Sequence, residues 1–334
     1  MLANADIIRT VGHTLKALLP SSQQSPQSSQ SAPLVLDPVC VSTSGHALLD
    51  PQNDALDALI EELLPLTTVL TPNTAEAEAL LLLRPGGVVG ETEIADSSSS
   101  SRRIKISSIE DMVRASQELC ALGPRAVLVK GGHVAAAAAA HGGLRIADVE
   151  AGVAAIAATT TKDDPSPRRG YKITAVCEGL FKRHDDDGAN MEILFQAAAQ
   201  DPAAVCDRDV PVVVDVLCEV GDDDDGGGER YTLFVRPYLD SKSTHGTGCT
   251  LGAALACALA RGEPRTHFTT PRGSLSLFPS LCTTWHVVLA VVEAVNFATM
   301  YTHHGITTAF PMGSGHGPLN HMHPLLPRMV HKLV

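Results

Sequence analysis

The chain has 334 residues, which is long enough for one large α/β domain or two small ones. Its formal net charge is −12 and it has no strong cluster of lysine and arginine, which argues against an extended nucleic-acid-binding surface. Hydrophobic residues make up 44% of the chain but aromatic residues only 4%, so we expect a core of leucine, valine and alanine. Such a core suits parallel strands flanked by helices.

Cysteine usage predicts a reducing compartment. None of the eight cysteines forms a C-x-x-C pair, and several lie in apolar runs, which is typical of free thiols rather than of a disulfide framework. The sequence starts without a signal-type segment, and the longest uncharged run of small residues, 135–140, is too short to cross a bilayer. We therefore expect a soluble, cytoplasmic protein with no membrane segment.

Apolar periodicity predicts alternating helices and strands. In chain order the pattern indicates helix 5–19, strand 34–36, helix 52–64 capped by Asn53 or Asp54, strand 68–70, helix 75–83, helix 109–122 and strand 126–129. Strands 210–217 and 231–235 are expected to form a β-ribbon or an antiparallel edge, and helices follow at 249–261 and 287–302. This alternation predicts an α/β fold with a mostly parallel sheet covered on both faces, which binds its ligands at the carboxyl ends of the strands.

Low-complexity stretches interrupt the pattern. Residues 21–32, 96–101, 159–170 and 222–228 are rich in serine, glutamine, aspartate, proline or glycine. Such compositions bury too little apolar surface to form a core, so these stretches are interpreted as solvated loop expansions. They lie between well-patterned segments, which favours a single domain over 1–334.

The segment 243–252 (STHGTGCTLG) is the strongest candidate for chemistry. Gly246 and Gly248 allow the backbone to curl with its N–H groups pointing inward, and the following helix adds its positive N-terminal end. Such a loop holds a phosphoryl group, or the negative charge that develops during its transfer. Cys249 stands at the helix start, where a thiolate base is favoured. A tight turn before a core helix is the less favoured alternative.

Polar residues follow three of the predicted strands. Asn73 and Glu76 form an N-x-x-E that orients a hydrated Mg²⁺ on ATP phosphates or, as the favoured interpretation when taken alone, caps a helix. Asp37 is either a carboxylate near metal and phosphate or an Asp-Pro turn residue. Lys130 either reaches phosphate or is a surface lysine with a buried stem.

These segments together resemble the hydroxymethylpyrimidine/phosphomethylpyrimidine kinases of thiamine biosynthesis, in the ribokinase-like superfamily. The resemblance is carried, in the family's order, by MLANADII (1–8), LVLDPVCVSTSGHALL (34–49), LTPNTAEAEAL (70–80), VLVKGGH (127–133), STHGTGCTLGAALACALARG (243–262) and GHGPLNH (315–321). It implies a three-layer α/β sandwich that uses ATP and Mg²⁺ to phosphorylate a small pyrimidine at its hydroxymethyl group and then its monophosphate. Family members commonly pair, so a homodimer is compatible with it.

The resemblance also implies roles for the glycine loop. Cys249 matches the residue that accepts the proton of the substrate hydroxyl. Gly246, Thr247 and Gly248 match the backbone of the anion hole, and Thr244 belongs to the nucleotide-binding set.

The strand ends match the family's nucleotide and metal positions. Asn73 and Glu76 match the N-x-x-E that organises Mg²⁺. Asp37 matches the acidic residue of the DPV strand near the phosphates, and Lys130 matches the KGGH lysine near ATP.

The chain also departs from the family pattern. In the family, roughly a hundred residues precede the MLANADII segment and supply most pyrimidine contacts, so we expect a partial domain that lacks this N-terminal part. Residues 266–286 stand where the family has a short turn, and are interpreted as an insertion or a retained intron. Residues 135–208 are likewise expected to be an insertion, because they are longer than the hairpin of the family.

Two other functions remain open from the sequence. One is a kinase of the same superfamily that acts on pyridoxal-type vitamers, since the glycine loop and its cysteine are shared. The other is a catalytically inactive fragment that binds nucleotide. The STSGHALL segment and the GHGPLNH tail favour the pyrimidine kinase.

Overall fold

A computed structural model describes residues 4–18, 32–39, 54–82, 105–132, 144–159, 172–177, 211–221, 229–261, 283–310, 315 and 317–323. The chain divides into two compact units, Met1–Tyr238 and Leu239–Val334. Stretches 96–101 and 222–228 lie outside the described residues, as do most of 21–32, 159–170 and 266–286. The single-domain organisation and the interpretation of these stretches as insertions stay predictions.

The first unit contains a six-stranded mixed sheet. Its strands are β1 (Val35–Leu36), β2 (Val69–Leu70), β3 (Ala126–Val129), β4 (Lys172–Cys177), β5 (Val212–Val220) and β6 (Glu229–Pro237), in the spatial order β1-β2-β3-β5-β6-β4. The pairs β1–β2, β2–β3 and β4–β6 are parallel, whereas β3–β5 and β5–β6 are antiparallel. The predicted α/β class is confirmed, and its sheet is parallel where the first three strands meet.

Strands β5 and β6 form the predicted β-ribbon, with a continuous antiparallel register from Val212 opposite Pro237 to Val220 opposite Glu229. The ribbon is not an edge, because β3 flanks β5 and β4 flanks β6. Strand β4 lies within 135–208, the stretch interpreted as an insertion, and it extends the sheet through parallel pairing with β6.

Five helices accompany this sheet in the described part of the first unit. They are α1 (Ala5–Leu18), α2 (Ala55–Glu62), α3 (Thr74–Leu82), α4 (Ile109–Cys120) and α5 (Ile146–Thr159), with a 3₁₀ turn at Leu64–Leu66. The first four agree with the predicted helices to within a few residues. Asp54 occupies the cap position of α2, but its side chain makes no capping hydrogen bond and its φ is 48°, so its predicted capping role is wrong. Asn53 lies outside the described residues.

The core of the first unit lies on one face of the sheet. Val127 and Val129 of β3 and Val214 of β5 pack in one cluster with Leu59 of α2 and Met112 of α4. The intervening strand residues, among them Leu128 and Leu217, are also buried. Both faces of these strands are therefore withdrawn from water, as continuous apolar runs predict.

The second unit contains α6 (Thr247–Ala260) and α7 (Thr283–Thr307), which pack against each other. Both begin before the predicted starts, and α7 also extends beyond its predicted end. Among the described residues, no helix is long and apolar enough to span a membrane.

Candidate active site

Three parallel strands of the first unit bring the predicted polar residues to one edge of the sheet. Asp37 follows β1, Asn73 follows β2 and Lys130 follows β3, and these strands are neighbours in parallel register. Pairing continues past the strand ends, because the Lys130 N–H donates to the Pro72 carbonyl oxygen at 2.8 Å. The backbone thus holds Asn73 and Lys130 side by side in an isolated parallel bridge.

Lys130 forms ion pairs with two carboxylates at this edge. Its Nζ lies 2.8 Å from Asp37 Oδ1 and 3.9 Å from Glu76 Oε2. The side chains of Lys130, Asp37 and Glu76 are 16%, 18% and 6% exposed. The interpretation of Lys130 as a surface lysine is therefore wrong, and Asp37 does more than terminate a turn.

The N-x-x-E motif is a reciprocal helix cap. Asn73 Oδ1 accepts the N–H of Glu76 at 2.9 Å, and Glu76 Oε2 accepts the N–H of Asn73 at 2.7 Å. The capping interpretation is confirmed, and its consequence reaches further than α3. Because the cap holds Glu76 Oε2, it also fixes this carboxylate beside Lys130.

Thr71 completes the cluster; the sequence placed it in the polar group that ends a strand but predicted no role for it. It is fully buried, and its Oγ1 donates to Asp37 Oδ1 at 3.2 Å. The feature of the sequence that could have identified Thr71 is a hydroxyl residue directly after an apolar strand. Thr71 and Lys130 thus both contact Oδ1 of Asp37 and restrict the orientation of its carboxylate.

The donor set of this edge fits Mg²⁺. Two carboxylates beside one ammonium leave an excess of one negative charge, and carboxylate and amide oxygens are the ligands that Mg²⁺ prefers. No group of three or more His, Cys, Asp or Glu side chains in the described ranges could hold a metal by itself. Mg²⁺ does not require one, because it takes one or two carboxylates and completes its shell with water and substrate phosphates.

The glycine loop of the second unit is organised by its backbone. Gly246 is the N-cap residue of α6 with φ 84°, a left-handed conformation that favours glycine. Its carbonyl oxygen accepts both the N–H and the Oγ1 of Thr250, at 2.9 and 2.8 Å. The chain therefore turns into the helix at Gly246 rather than at Cys249.

Thr247, Gly248 and Cys249 form the first turn of α6. The N–H groups of a first turn have no acceptor within their helix. Thr247 makes one long contact, from its N–H to the Thr244 carbonyl oxygen at 3.4 Å. Cys249 is a free, exposed thiol in this turn. The predicted anion-hole residues, Thr244 and the predicted base thus occupy one contiguous stretch at a helix N-terminus.

The C-terminal motif flanks this loop within the second unit. His245 and Pro318 form a parallel bridge, and the N–H of Gly317 donates to the Lys242 carbonyl oxygen at 3.1 Å. The N–H of Asn320 donates to the Gly305 carbonyl oxygen of α7 at 2.9 Å. The tail thus connects the loop to the second helix of the unit, a contact that the sequence pattern did not predict.

Comparison with known proteins identifies the family. Residues 1–145 and 212–267, more than half of the chain, match the model of the phosphomethylpyrimidine kinase family. The chain belongs to the phosphomethylpyrimidine kinase family.

Curated relatives within this family are moderately similar. A hydroxymethylpyrimidine/phosphomethylpyrimidine kinase of Streptomyces coelicolor is 26% identical over 96% of this chain and 66% of its own length. A Rhizobium meliloti protein of the same name is 26% identical over 86% of this chain and 60% of its own length. A kinase of that name from Mycobacterium tuberculosis is 39% identical over 40% of this chain and 37% of its own length. The chain thus spans less than two thirds of the length of the curated relatives it matches.

Solved structures of vitamin kinases are also similar. A pyridoxal kinase from Staphylococcus aureus in complex with AMP-PCP has a TM-score of 0.48 at 19% identity, covering 96% of this chain and 65% of that one. A phosphomethylpyrimidine kinase from Clostridium difficile has a TM-score of 0.41 at 21% identity, covering 91% and 65%. The family assignment rests on the family model rather than on these likenesses.

The candidate residues of this family member all lie inside the matched ranges. Asp37, Asn73, Glu76 and Lys130 fall within 1–145, and the glycine loop falls within 212–267. Helix α5 and strand β4 lie between the two ranges. Helix α5 and strand β4 thus lie outside the residues that match the family model.

Proposed function

We propose that this chain carries the phosphoryl-transfer part of an ATP-dependent kinase that phosphorylates 4-amino-5-hydroxymethyl-2-methylpyrimidine and then its monophosphate. The observation that carries the proposal is the partly buried contact of Lys130 with the carboxylates of Asp37 and Glu76 at the carboxyl edge of three parallel strands. Family membership supports the pyrimidine, since the Streptomyces and Rhizobium relatives bear the name of kinases for it.

The nucleotide-binding role is assigned to the cluster of the first unit. Lys130 binds phosphate oxygens as a cation whose ammonium is already oriented by Asp37. Asn73 and Glu76 would hold Mg²⁺, which supplies charge neutralisation to the phosphates when bound. Because these side chains are held by the helix cap and by Thr71, little reorganisation accompanies binding.

The roles of anion hole and base are assigned to the glycine loop of the second unit. The backbone N–H groups of Gly246, Thr247 and Gly248 donate to the negative charge that develops on the transferred phosphoryl group, and the N-terminal end of α6 adds its positive field. The Cys249 thiolate accepts the proton of the substrate hydroxymethyl group. Thr244 contributes to nucleotide binding at the start of the loop. Losing one preorganised donor of this kind typically costs about 10²–10³ in rate.

The function is tested by ATP turnover of the purified chain with hydroxymethylpyrimidine, with its monophosphate, with pyridoxal and with no acceptor. We expect ADP formation only with the two pyrimidines. Turnover that prefers pyridoxal would identify the vitamer kinase instead. ATP binding without turnover on any acceptor would identify a nucleotide-binding chain without catalysis.

The base is tested by Cys249→Ala, with Cys257→Ala as the matched control. Both are free, exposed cysteines on α6, and they stand about 12 Å apart along the helix axis. We expect Cys249→Ala to abolish phosphorylation and to leave ATP affinity nearly unchanged, and Cys257→Ala to retain activity. Equal turnover in the two variants would remove Cys249 from the mechanism.

We also propose a cytoplasmic location and a homodimeric state. The free thiols of Cys120, Cys218, Cys249 and Cys257 support a reducing compartment. Light scattering of the purified chain tests the dimer, and fractionation of the source cells tests the location.

A further inference from the structure

A buried aspartate stands behind the lysine of the proposed nucleotide site. Asp215 interrupts the apolar strand β5 and is only 3% exposed. Its Oδ1 accepts the N–H of Gly131 at 2.9 Å, and its Oδ2 forms an ion pair with Arg236 of β6. One carboxylate therefore joins the residue after Lys130 to the β-ribbon.

The chain after β3 is pressed against β5 at this point. A Cβ added to Gly131 would lie 1.8 Å from the Val214 carbonyl oxygen, so only glycine fits. The last register pair of β3 and β5 joins Val129 to Val216, after which the hydrogen bond to Asp215 takes over from the ladder. The position of the Lys130 backbone is thus set on one side by β2 and on the other by Asp215.

The pair is poorly suited to be a pure stabiliser. Nη1 of Arg236 is buried and has no hydrogen-bond partner within the described residues. A buried ion pair with an unsatisfied donor is often no more stable than an apolar pair of similar volume. An apolar pair, however, cannot supply an acceptor for the Gly131 N–H.

We infer that Asp215, paired with Arg236, is a positioning residue of the nucleotide site: it fixes the Gly131 backbone so that the Lys130 ammonium meets Asp37 and Glu76. Asp215 acts through Lys130 and touches no substrate itself. The expected effect of Asp215 on ATP binding rests on the proposed function. The expected effect of Asp215 on the position of Lys130 does not.

Two double variants separate positioning from stability. Asp215→Asn with Arg236→Met removes both charges but keeps an oxygen acceptor for the Gly131 N–H. Asp215→Leu with Arg236→Met removes the same charges and the acceptor as well. Neither variant leaves a buried charge unpaired, but the leucine variant leaves the Gly131 N–H without its acceptor, so we expect it to melt several degrees below the asparagine variant. Both readouts are therefore taken at a temperature at which both variants are fully folded.

Two readouts are compared in the full chain. The first is the rate at which Lys130 is modified by reductive methylation, followed by mass spectrometry, because an ion-paired ammonium reacts slowly. The second is the affinity for a non-hydrolysable ATP analogue, with kcat and KM for ATP where turnover is present. In the leucine variant we expect faster methylation of Lys130 and an affinity loss of roughly tenfold to a hundredfold, and in the asparagine variant values near those of the unmodified chain.

Each outcome has one meaning. Equal Lys130 methylation in the two double variants overturns the positioning role. Different methylation together with different nucleotide affinity supports it. Different methylation in a chain that binds no nucleotide in any form retains the positioning of Lys130 and overturns the proposed function instead.

Discussion

The candidate residues fall into two halves, one in each unit, which are organised by different means. In the first unit, side chains from three strands and one helix hold one another in a mostly buried cluster around Lys130. In the second unit, one contiguous loop presents backbone N–H groups at a helix end, and its thiol at Cys249 is exposed. The first half depends on side-chain chemistry, whereas the second depends on backbone conformation. Substitutions that distinguish chemistry, space and conformation therefore test this contrast.

The largest effect is expected from the chemistry of the first half. Lys130→Met keeps much of the side-chain volume but removes the ammonium, leaving Asp37 and Glu76 close together without their cation. We expect kcat/KM for ATP to fall by about 10²–10³, in line with the loss of one preorganised electrostatic contact. Lys105→Met, at a surface-exposed lysine, is the control and should retain activity. Similar rates for both variants would contradict the role of the cluster.

Close packing leaves no room for a side chain at Gly131, the residue after Lys130. Gly131→Ala places a methyl group 1.8 Å from a backbone oxygen, so strands must move apart, and we expect a loss of about 3 kcal/mol in the free energy of unfolding. Gly132→Ala is the matched control, because a Cβ at Gly132 meets nothing within 4 Å. Chemical denaturation of both variants measures the difference. Equal stabilities would show that the loop is not pressed on β5.

Glu219, a buried carboxylate outside the Lys130 cluster, should make the free energy of unfolding depend on pH. Burial raises the pKa of Glu219 to about 7, against the opposing charge of Arg230. Below the usual pKa of about 4.5, Glu219 is protonated in both folded and unfolded chains, so its burial costs nothing there. Between that value and pH 7 the unfolded chain releases the proton first, so the free energy of unfolding falls as pH rises.

In the unmodified chain, the free energy of unfolding should fall by roughly 3 kcal/mol between pH 4.5 and pH 8 because of Glu219. We expect Glu219→Gln to abolish this fall. Denaturation across this pH range measures it, with Glu61→Gln at an exposed position of α2 as the control. A Glu219→Gln profile parallel to that of the unmodified chain would be inconsistent with the raised pKa.

The smallest stability effect is expected in the second half, where conformation is decisive. Gly246→Ala finds open space, but its φ of 84° costs about 1–2 kcal/mol for a residue with a Cβ. Because the turn directs the N–H groups of the first turn, activity should fall more than stability does. Gly252→Ala, also in open space but inside α6, should retain activity and gain about 0.5–1 kcal/mol. Thermal melts and turnover of the pair decide whether conformation alone distinguishes the two glycines.

Much of the candidate site was predictable because it follows from local rules. Asp37, Asn73 and Lys130 each end an apolar run, and parallel strands place such ends at one edge. The cap formed by Asn73 and Glu76 spans three residues and is specified by its own sequence. The left-handed turn at Gly246 likewise follows from a contiguous motif.

Local sequence patterns were sufficient for the α/β class and for most helix and strand positions to within a few residues, but they did not predict α5 or β4. The partners of the candidate residues, in contrast, depend on how distant segments pack together. Asp37 lies 93 residues from Lys130, and Gly131 lies 84 residues from Asp215. The local pattern of apolar residues therefore cannot predict either contact. The parallel addition of β4 beside β6 was likewise invisible, because strand order depends on which apolar faces meet in the folded chain. Local propensity acts between near neighbours, whereas the buried ion pairs and the close packing at Gly131 exist only after distant segments have packed.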